Sequence, residues 1–325
     1  MALLSVQNLS VGYKTQNGVL RAVDNISFSI EQGRSLGFVG ESGCGKTTVG
    51  MALMGLLAEN ASVLQGAIFL NGQNFAAFNE EEWRSVRGNE IAMIFQAAMN
   101  ALNPVIRVDA QIMEAIEIHH PHLSAKEMLQ KVKNLFDLVQ IPKNRLRDFP
   151  HQYSGGMKQR AIIAMALACN PKLIIADEPT TALDVIVQDQ ILKGIKQIQK
   201  KMNTGLIFIS HDIAVVADVC EDVCVMYGGQ IVEQGTREEV FRSPKHPYTQ
   251  TLLASCLHLG TAQEIVAPEI RSAPDLLNTS GGCRFFPNCT FNSEACKKEV
   301  PIWVEFSATH KAFCRADAIN RTNDN

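Results

Sequence analysis

The pattern of apolar and polar positions predicts a chain of mixed strands and helices. Residues 4–9 and 26–30 alternate apolar and polar side chains, which is typical of half-buried strands. Residues 35–39 have the pattern of a buried strand and lead directly into a glycine-rich loop and a helical stretch at 49–57. Residues 173–176 and 206–209 are uninterrupted apolar runs, as in parallel strands covered on both faces. The pattern predicts an α/β fold with a β-rich N-terminal lobe.

Composition divides the rest of the chain. Residues 79–150 favour helix and carry dispersed charges, which predicts a helical subdomain over about 79–160. Residues 223–227 and 230–233 predict a hairpin around Gly228 and Gly229. After about residue 243 the chain becomes rich in proline, glycine, asparagine and cysteine. We therefore expect one large domain over residues 1–243 and a small cysteine-rich domain over 244–325.

Charge and hydropathy exclude several classes of protein. The 325 residues include 30 basic and 33 acidic side chains, a net charge of −3 that argues against binding nucleic acid by bulk electrostatics. No apolar run approaches the ~18–20 residues that a membrane-spanning helix needs. The first residues do not have the pattern of a secretory leader, so we expect a cytoplasmic protein. If it works at a membrane, we expect other chains to cross it.

A phosphate-binding loop follows the strand at 35–39. The spacing Gly40-x4-Gly45-Lys46-Thr47 is the Walker A pattern, in which glycines allow backbone N–H groups to close around phosphate oxygens. Lys46 supplies a positive charge, and the Thr47 hydroxyl can ligate Mg²⁺. The candidate nucleotide contacts in this loop are Gly40, Glu41, Ser42, Gly43, Cys44, Gly45, Lys46, Thr47 and Thr48.

Two adjacent carboxylates follow the apolar run at 173–176. Asp177 stands where a Walker B carboxylate holds Mg²⁺, and Glu178 is suited to act as the general base on an attacking water. An acidic pair that merely caps a turn before Pro179 is the structural alternative. The phosphate loop upstream favours the catalytic interpretation.

The segment Ser154-Gly155-Gly156-Met157 resembles the signature sequence of ATP-binding-cassette (ABC) proteins, with Tyr153 and Met157 where leucine and glutamine are common. Its serine and glycines let a helix start approach a phosphate with bare N–H groups. Because Lys46 already serves the chain's own nucleotide, a second such helix start implies two chains head to tail. ATP would then lie between Lys46 of one subunit and Ser154 of the other.

The remaining motifs occur in the order of the same family. By resemblance, Tyr13 stacks on adenine, Gln96 reaches Mg²⁺ and the attacking water, Asp184 belongs to the D-loop, and His211 is the switch histidine on the γ-phosphate. Each residue alone is usually structural, but six ordered motifs leave little room for that explanation. The resemblance implies a P-loop ATPase of ABC type, with a mixed sheet core, an antiparallel β lobe and a helical subdomain. ATP and Mg²⁺ are its implied cofactors, with the metal held by Thr47, Gln96 and Asp177.

A narrower resemblance concerns dipeptide and oligopeptide importers. It rests on residues 40–46, 149–157 and 246–249, whereas residues 97–100 depart from the subgroup. The resemblance implies a second, related ATPase subunit, two transmembrane permeases and an extracytoplasmic binding protein at the bacterial inner membrane. Nickel, opine or glutathione import, a soluble ABC protein of translation or DNA repair, and a non-hydrolysing partner subunit are the alternatives.

Four cysteines are concentrated in the last part of the chain, namely Cys283, Cys289, Cys296 and Cys314. Their arrangement resembles the C-terminal domain of dipeptide-importer ATPases, where four cysteines hold a [4Fe–4S] cluster. A tetrathiolate zinc site, a Cys3His site that includes His310, and free thiols packed in a small core remain open.

Overall fold

The computed structural model describes residues 2–75, 77–95, 101–181, 183–257, 274, 276–277 and 281–315. Its internal contacts divide the chain into two compact units. The helical unit comprises residues 1–3, 30–34 and 77–208, and the P-loop unit comprises residues 4–29, 35–76 and 209–325. Each unit contains strands and helices of its own.

The first sheet of the P-loop unit is formed by strands from the N-terminal part of the chain. Its strand order is β2-β1-β4-β5, with antiparallel pairing of β4 to both β1 and β5. The strands are β1 (Ala2–Thr15), β2 (Gly18–Glu31), β4 (Ala61–Leu70) and β5 (Gln73–Asn74). In β1 the apolar side chains of Leu4, Val6 and Val11 are buried. The predicted β lobe is therefore confirmed.

The second group of strands in this unit has the order β11-β12-β10-β9-β3. Strand β3 (Ser35–Val39) runs parallel to β9 (Asp222–Tyr227), which forms an antiparallel hairpin with β10 (Gln230–Thr236). Gly228 and Gly229 have φ values of 53° and 82°, the left-handed pair that a tight hairpin turn requires. The predicted hairpin is confirmed. The helices of the unit are α1 (Lys46–Leu53), α7 (Ile213–Val219), α8 (Arg237–Arg242), α9 (Pro247–Leu257) and α10 (Glu294–Lys298).

The cysteine-rich region continues the sheet of the P-loop unit. Strand β12 (Lys311–Cys314) pairs with β10, and β11 (Ile302–Glu305) pairs with β12, all antiparallel. This hairpin obtains its support from β10, because β10 supplies the backbone partners that an isolated hairpin lacks.

The helical unit contains the strands β6 (Ile91–Ile94), β7 (Leu173–Asp177) and β8 (Gly205–Ile209), in the order β8-β7-β6. Its helices are α2 (Glu80–Val86), α3 (Val108–His119), α4 (Ala125–Leu138), α5 (Gly155–Ala166) and α6 (Val185–Met202). Strand β6 pairs in parallel with β7 and is buried along its whole length. It was not predicted, since it lies inside the stretch expected to be helical. In the described part of the chain, no helix is both long and apolar enough to cross a bilayer.

Candidate nucleotide site

The glycine-rich loop lies between β3 and α1, and its glycines are required by contact. Gly40 has a φ of 151° and Gly45 a φ of 106°, conformations that side chains rarely adopt. A Cβ on Gly40 would lie 2.1 Å from the Met226 carbonyl oxygen, and one on Gly45 would lie 2.3 Å from the Ala22 carbonyl oxygen. The loop is therefore seated directly on the backbone of β2 and β9.

Lys46 is folded back into this loop. Its side chain is buried, and Nζ donates to the carbonyl oxygens of Gly40 at 2.7 Å and Glu41 at 2.8 Å. A buried ammonium needs such partners, since removing a charge from water is costly. Burial also raises the pKa of the Glu41 carboxyl group, although Lys46 opposes the shift. The loop thus holds a positive charge at the start of α1, where a phosphate would meet the helix N-terminus.

Two contacts support the loop from outside. The Glu41 N–H donates to the Tyr248 hydroxyl at 3.0 Å, and the Gly229 N–H donates to the Cys44 carbonyl at 3.0 Å. Tyr248 was noticed in the sequence only as part of a family motif, and no role at the loop was assigned to it. Its tyrosine hydroxyl could have suggested a polar partner, but the sequence does not indicate which one.

Other predicted residues of the P-loop unit lie close to the loop. The Tyr13 hydroxyl is 3.3 Å from the Thr48 hydroxyl, which places this tyrosine beside the first turn of α1. The Ser210 N–H donates to the Phe38 carbonyl at 3.1 Å, so the exposed His211 follows a residue attached to the end of β3. Gln96 lies outside the described residues.

The two carboxylates belong to the helical unit. Asp177 is buried at the end of β7. Glu178 has a φ of 44°, and its Oε2 accepts a hydrogen bond from the Thr181 hydroxyl at 3.1 Å. A left-handed conformation is unfavourable for glutamate, especially before proline. This strained turn and the Thr181 contact fix the direction of the Glu178 side chain.

The predicted signature segment forms a helix start in the same unit. Ser154 is the exposed N-cap of α5, and its hydroxyl accepts from the Met157 N–H at 3.3 Å. The unusual Tyr153 is buried and donates to the Arg145 carbonyl at 2.9 Å. A tyrosine in place of leucine therefore attaches this segment to the preceding turn while leaving the helix N-terminus exposed.

Asp184 lies next to that helix start. It is the N-cap of α6, and its Oδ1 accepts from the Val187 N–H at 2.9 Å. A Cβ on Gly156 would lie 2.7 Å from Cγ1 of Val187. The structure thus brings the predicted signature and D-loop residues together through Val187.

The four C-terminal cysteines line one pocket. This pocket is also lined by His246, Phe285, Phe286 and Pro301. Burial raises the pKa of Cys289 to about 11 and that of Cys314 to about 12, so both thiols are neutral near pH 7 without a metal. Among the residues that the structure describes, no group of three or more His, Cys, Asp or Glu side chains is arranged to hold a metal ion.

His310 does not take part in this pocket. Its ring Nε2 is 2.7 Å from Oε1 of the buried Glu233, and the pocket lining does not include it. The Cys3His alternative that uses His310 is therefore not supported. His246 lines the pocket instead, although nothing in the spacing of the cysteines pointed to this histidine.

Comparison with known proteins identifies the family. Residues 23–181 match the family model described as ABC transporter. The dipeptide transport ATP-binding protein of Lactococcus lactis is 43% identical over 312 residues, which cover 95% of this chain and 89% of that protein. The chain belongs to the ATP-binding proteins of ABC transporters. It is therefore an ATPase, and as an ABC ATPase it is expected to bind ATP with Mg²⁺.

Further relatives and solved structures agree with this assignment. The oligopeptide transport ATP-binding protein of Escherichia coli is 42% identical, with 96% of this chain and 93% of that protein covered. The structure of cbiO1 from Clostridium perfringens, part of an ABC transporter complex, aligns with a TM-score of 0.64 and 27% identity over 79% of this chain and 98% of that one. A dimeric ATP-binding cassette bound to ADP and Pi, 23% identical, aligns with a TM-score of 0.65 over 72% of this chain and 98% of that chain, and supports the fold alone.

The C-terminal part of this ABC ATPase has its own match. Residues 232–296 match the model described as oligopeptide/dipeptide transporter, C-terminal region. The matched segment includes Glu233, His246, Tyr248 and three of the four pocket cysteines.

Proposed function

We propose that this ABC ATPase powers the uptake of dipeptides and oligopeptides. The match of residues 232–296 to the C-terminal region of such transporters carries the proposal. The names of the dipeptide and oligopeptide transport relatives support it. The subunit would work at the cytoplasmic face of a bacterial inner membrane, with a related second ATPase, two permeases and an extracytoplasmic binding protein.

In this proposal the predicted residues act on ATP from two chains. The loop residues 40–48 hold the phosphates, Tyr13 stacks on adenine, and Thr47, Asp177 and Gln96 hold Mg²⁺. Glu178 takes a proton from the attacking water, and His211 contacts the γ-phosphate. Ser154, Gly155 and Gly156 clasp the nucleotide of the facing subunit, next to Asp184. We keep the division into a nucleotide-binding domain over residues 1–243 and an extension over 244–325 as part of the proposal.

Reconstitution tests the transported solute. The chain is assembled in proteoliposomes with the permeases, second ATPase and binding protein encoded beside its gene. ATP hydrolysis and uptake are then measured with dipeptides and longer peptides, and with nickel, an opine or glutathione as competing solutes. Stimulation by peptides supports the proposal. Stimulation by one of the other solutes instead keeps the ATPase and overturns the peptide assignment.

We also propose that the four-cysteine pocket holds a [4Fe–4S] cluster. All four thiols line one pocket with an apolar cover, which suits a cluster bound by four thiolates. A tetrathiolate zinc site at the same four cysteines is the alternative. A bound cluster would supply electron transfer or structural cross-linking, and its binding requires the four thiols to lose their protons.

Anaerobic purification tests the cluster. We expect a brown protein with iron and acid-labile sulfide in about equal amounts. The Cys289→Ala variant should lose the colour and the iron. The matched variant Cys169→Ala, at a buried cysteine whose thiol contacts the Ala115 carbonyl, should keep both. A colourless wild type with stoichiometric zinc would reject the cluster.

A further inference from the structure

Three buried aromatic rings connect the four-cysteine pocket to the phosphate loop. The ring of Tyr248 lies 4.6 Å from that of Tyr227 and 5.4 Å from that of Phe285, and Tyr227 lies 5.2 Å from Phe285. All three side chains are at most 2% exposed. Phe285 also lines the pocket of the cysteines. Because packed rings have few alternative arrangements, Tyr248 cannot move without displacing this cluster.

The hydroxyl of Tyr248 contacts the backbone of Glu41, a residue that also contacts Lys46. It accepts the Glu41 N–H at 3.0 Å, while the carbonyl of the same Glu41 accepts from Lys46 Nζ at 2.8 Å. Burial raises the pKa of Tyr248, so its hydroxyl stays protonated over the physiological range. Lys46 Nζ also donates to the Gly40 carbonyl at 2.7 Å, so the peptide group between Gly40 and Glu41 is held at its N–H by Tyr248 and at its carbonyl by Lys46.

A second contact from the same region supports the opposite part of the loop. Arg284, which lies between Cys283 and Phe285, donates to the Gly228 carbonyl and to Oδ2 of Asp24. The next residue, Gly229, donates its N–H to the Cys44 carbonyl in the loop. The two residues that directly follow Cys283 are therefore connected to the loop through different contacts: Arg284 through the turn at Gly228 and Gly229, and Phe285 through Tyr248.

We propose that Tyr248 is a positioning residue of the nucleotide site, which holds the Glu41 peptide and thereby Lys46, and whose ring is in turn held by Phe285 of the four-cysteine region. The folding state of that region then sets the affinity of the loop for nucleotide. This inference requires only that the loop binds ATP. It does not depend on which solute is transported or on what fills the cysteine pocket.

The matched variants Tyr248→Phe and Tyr227→Phe test the hydroxyl contact. Both keep a buried ring in the same cluster, but the Tyr227 hydroxyl accepts from Asn288 rather than from the loop. We expect Tyr248→Phe to weaken binding of a fluorescent ATP analogue about fivefold, the effect of one net hydrogen bond. Tyr227→Phe should bind within about twofold of wild type. In the assembled ATPase, Tyr248→Phe should raise KM for ATP and leave kcat unchanged.

Hydrogen exchange adds a readout that global destabilisation would not reproduce. We expect faster amide exchange at Glu41 in Tyr248→Phe but not in Tyr227→Phe, with both variants compared at equal distance below their melting temperatures. Unchanged nucleotide affinity in Tyr248→Phe, or an equal loss in both variants, would overturn the proposal. If the wild type fails to bind nucleotide, the ATPase assignment fails instead.

Phe285→Leu tests the ring contact while preserving an apolar side chain. We expect it to weaken nucleotide binding, and the double variant with Tyr248→Phe to lose less affinity than the product of the two single losses, since both act on one peptide. Independent effects of the two substitutions would contradict the coupling. Tyr248→Phe alone still tests the central contact should Phe285→Leu not fold.

Discussion

At the scale of one residue, Glu178 combines a strained backbone with its proposed catalytic role. Its φ of 44° places a glutamate where glycine is preferred, and the Thr181 hydroxyl fixes its carboxylate. Strain of this kind persists only where the surroundings determine it. The strand that ends in Asp177 continues into this turn, so two adjacent carboxylates differ in exposure, one buried and one half-buried. This difference suits one of them to hold a metal and the other to accept a proton.

The first prediction concerns Glu178→Gln. The amide keeps the shape and can still accept from Thr181, but it cannot take a proton from water, so we expect ATP hydrolysis by the assembled complex to fall by about 10² or more. Nucleotide binding should be retained. The control Glu90→Gln, whose carboxylate pairs with Lys172 at 2.7 Å on the surface, should hydrolyse ATP normally. Full activity of Glu178→Gln would show that this chain is not the hydrolysing partner.

How much of the site the sequence predicts depends on the kind of residue. The spacing of Gly40, Gly45 and Lys46 indicates the loop because phosphate chemistry requires those residue types at those intervals. The partner of the Glu41 N–H is not predictable in this way. Tyr248 lies 207 positions further along, and only the folded chain brings its hydroxyl to the loop.

A buried carboxylate joins three elements of the P-loop unit at the next scale. Glu233 of β10 is fully buried and accepts from the N–H groups of Lys245 and His246 at 2.8 and 2.9 Å. Its Oε1 also lies 2.7 Å from the ring of His310, in the turn between β11 and β12. The start of α9 and the C-terminal hairpin are therefore attached to one side chain.

The second prediction is that Glu233→Gln destabilises the P-loop unit. The amide nitrogen cannot accept the backbone N–H that one carboxylate oxygen receives, so a buried donor loses its partner, and the charge opposite His310 is removed. We expect a loss of about 2–4 kcal/mol in the free energy of unfolding, measured by denaturant titration. Glu238→Gln, which removes an exposed i,i+4 pair with Arg242, should change it by less than about 0.5 kcal/mol.

The third prediction concerns pH and a neighbouring glutamate. Burial alone raises the pKa of Glu239, but hydrogen bonds from Ser307, Thr236 and Thr309 outweigh it and lower the pKa to about 2. A carboxyl group with a lowered pKa contributes stability above its unfolded value of ~4.3 and loses it as pH falls toward 2. In Glu239→Gln the decline in melting temperature between pH 5 and 2 should be shallower than in wild type. The exposed Glu238→Gln should retain the wild-type slope over the same range.

Elements were predictable where local pattern and tertiary pairing agree. The hairpin at Gly228 and Gly229 follows from its turn residues, because the left-handed pair permits few alternatives. Strand β6 was missed because a run of four apolar residues is too short for its hydrophobic periodicity to distinguish a strand from a buried helical turn. Its strand character comes from pairing with β7, in which Ile91 lies opposite Leu173, 82 positions later in the sequence.

At the scale of the whole molecule, the proposed function depends on assembly. Each predicted half of an ATP site is present on the chain, with a phosphate loop in the P-loop unit and an exposed helix start at Ser154 in the helical unit. A helix N-terminus attracts phosphate through its unpaired N–H groups and its dipole. In the proposed site the loop binds the chain's own nucleotide, and the helix start would then bind that of a partner.

The fourth prediction tests this head-to-tail arrangement with two N-cap serines. Ser154→Glu places a negative charge where the γ-phosphate of a facing subunit would lie, so we expect ATP-dependent association of the Glu178→Gln chain with its partner ATPase to be lost. Binding of ATP to the single chain should remain, because Lys46 and its loop are untouched. Ser124→Glu makes the same change at the N-cap of α4, where the serine also caps a helix. Association of both variants is followed by light scattering with and without ATP. The Ser124→Glu variant should associate normally. If Ser154→Glu associates equally well, the shared site is excluded.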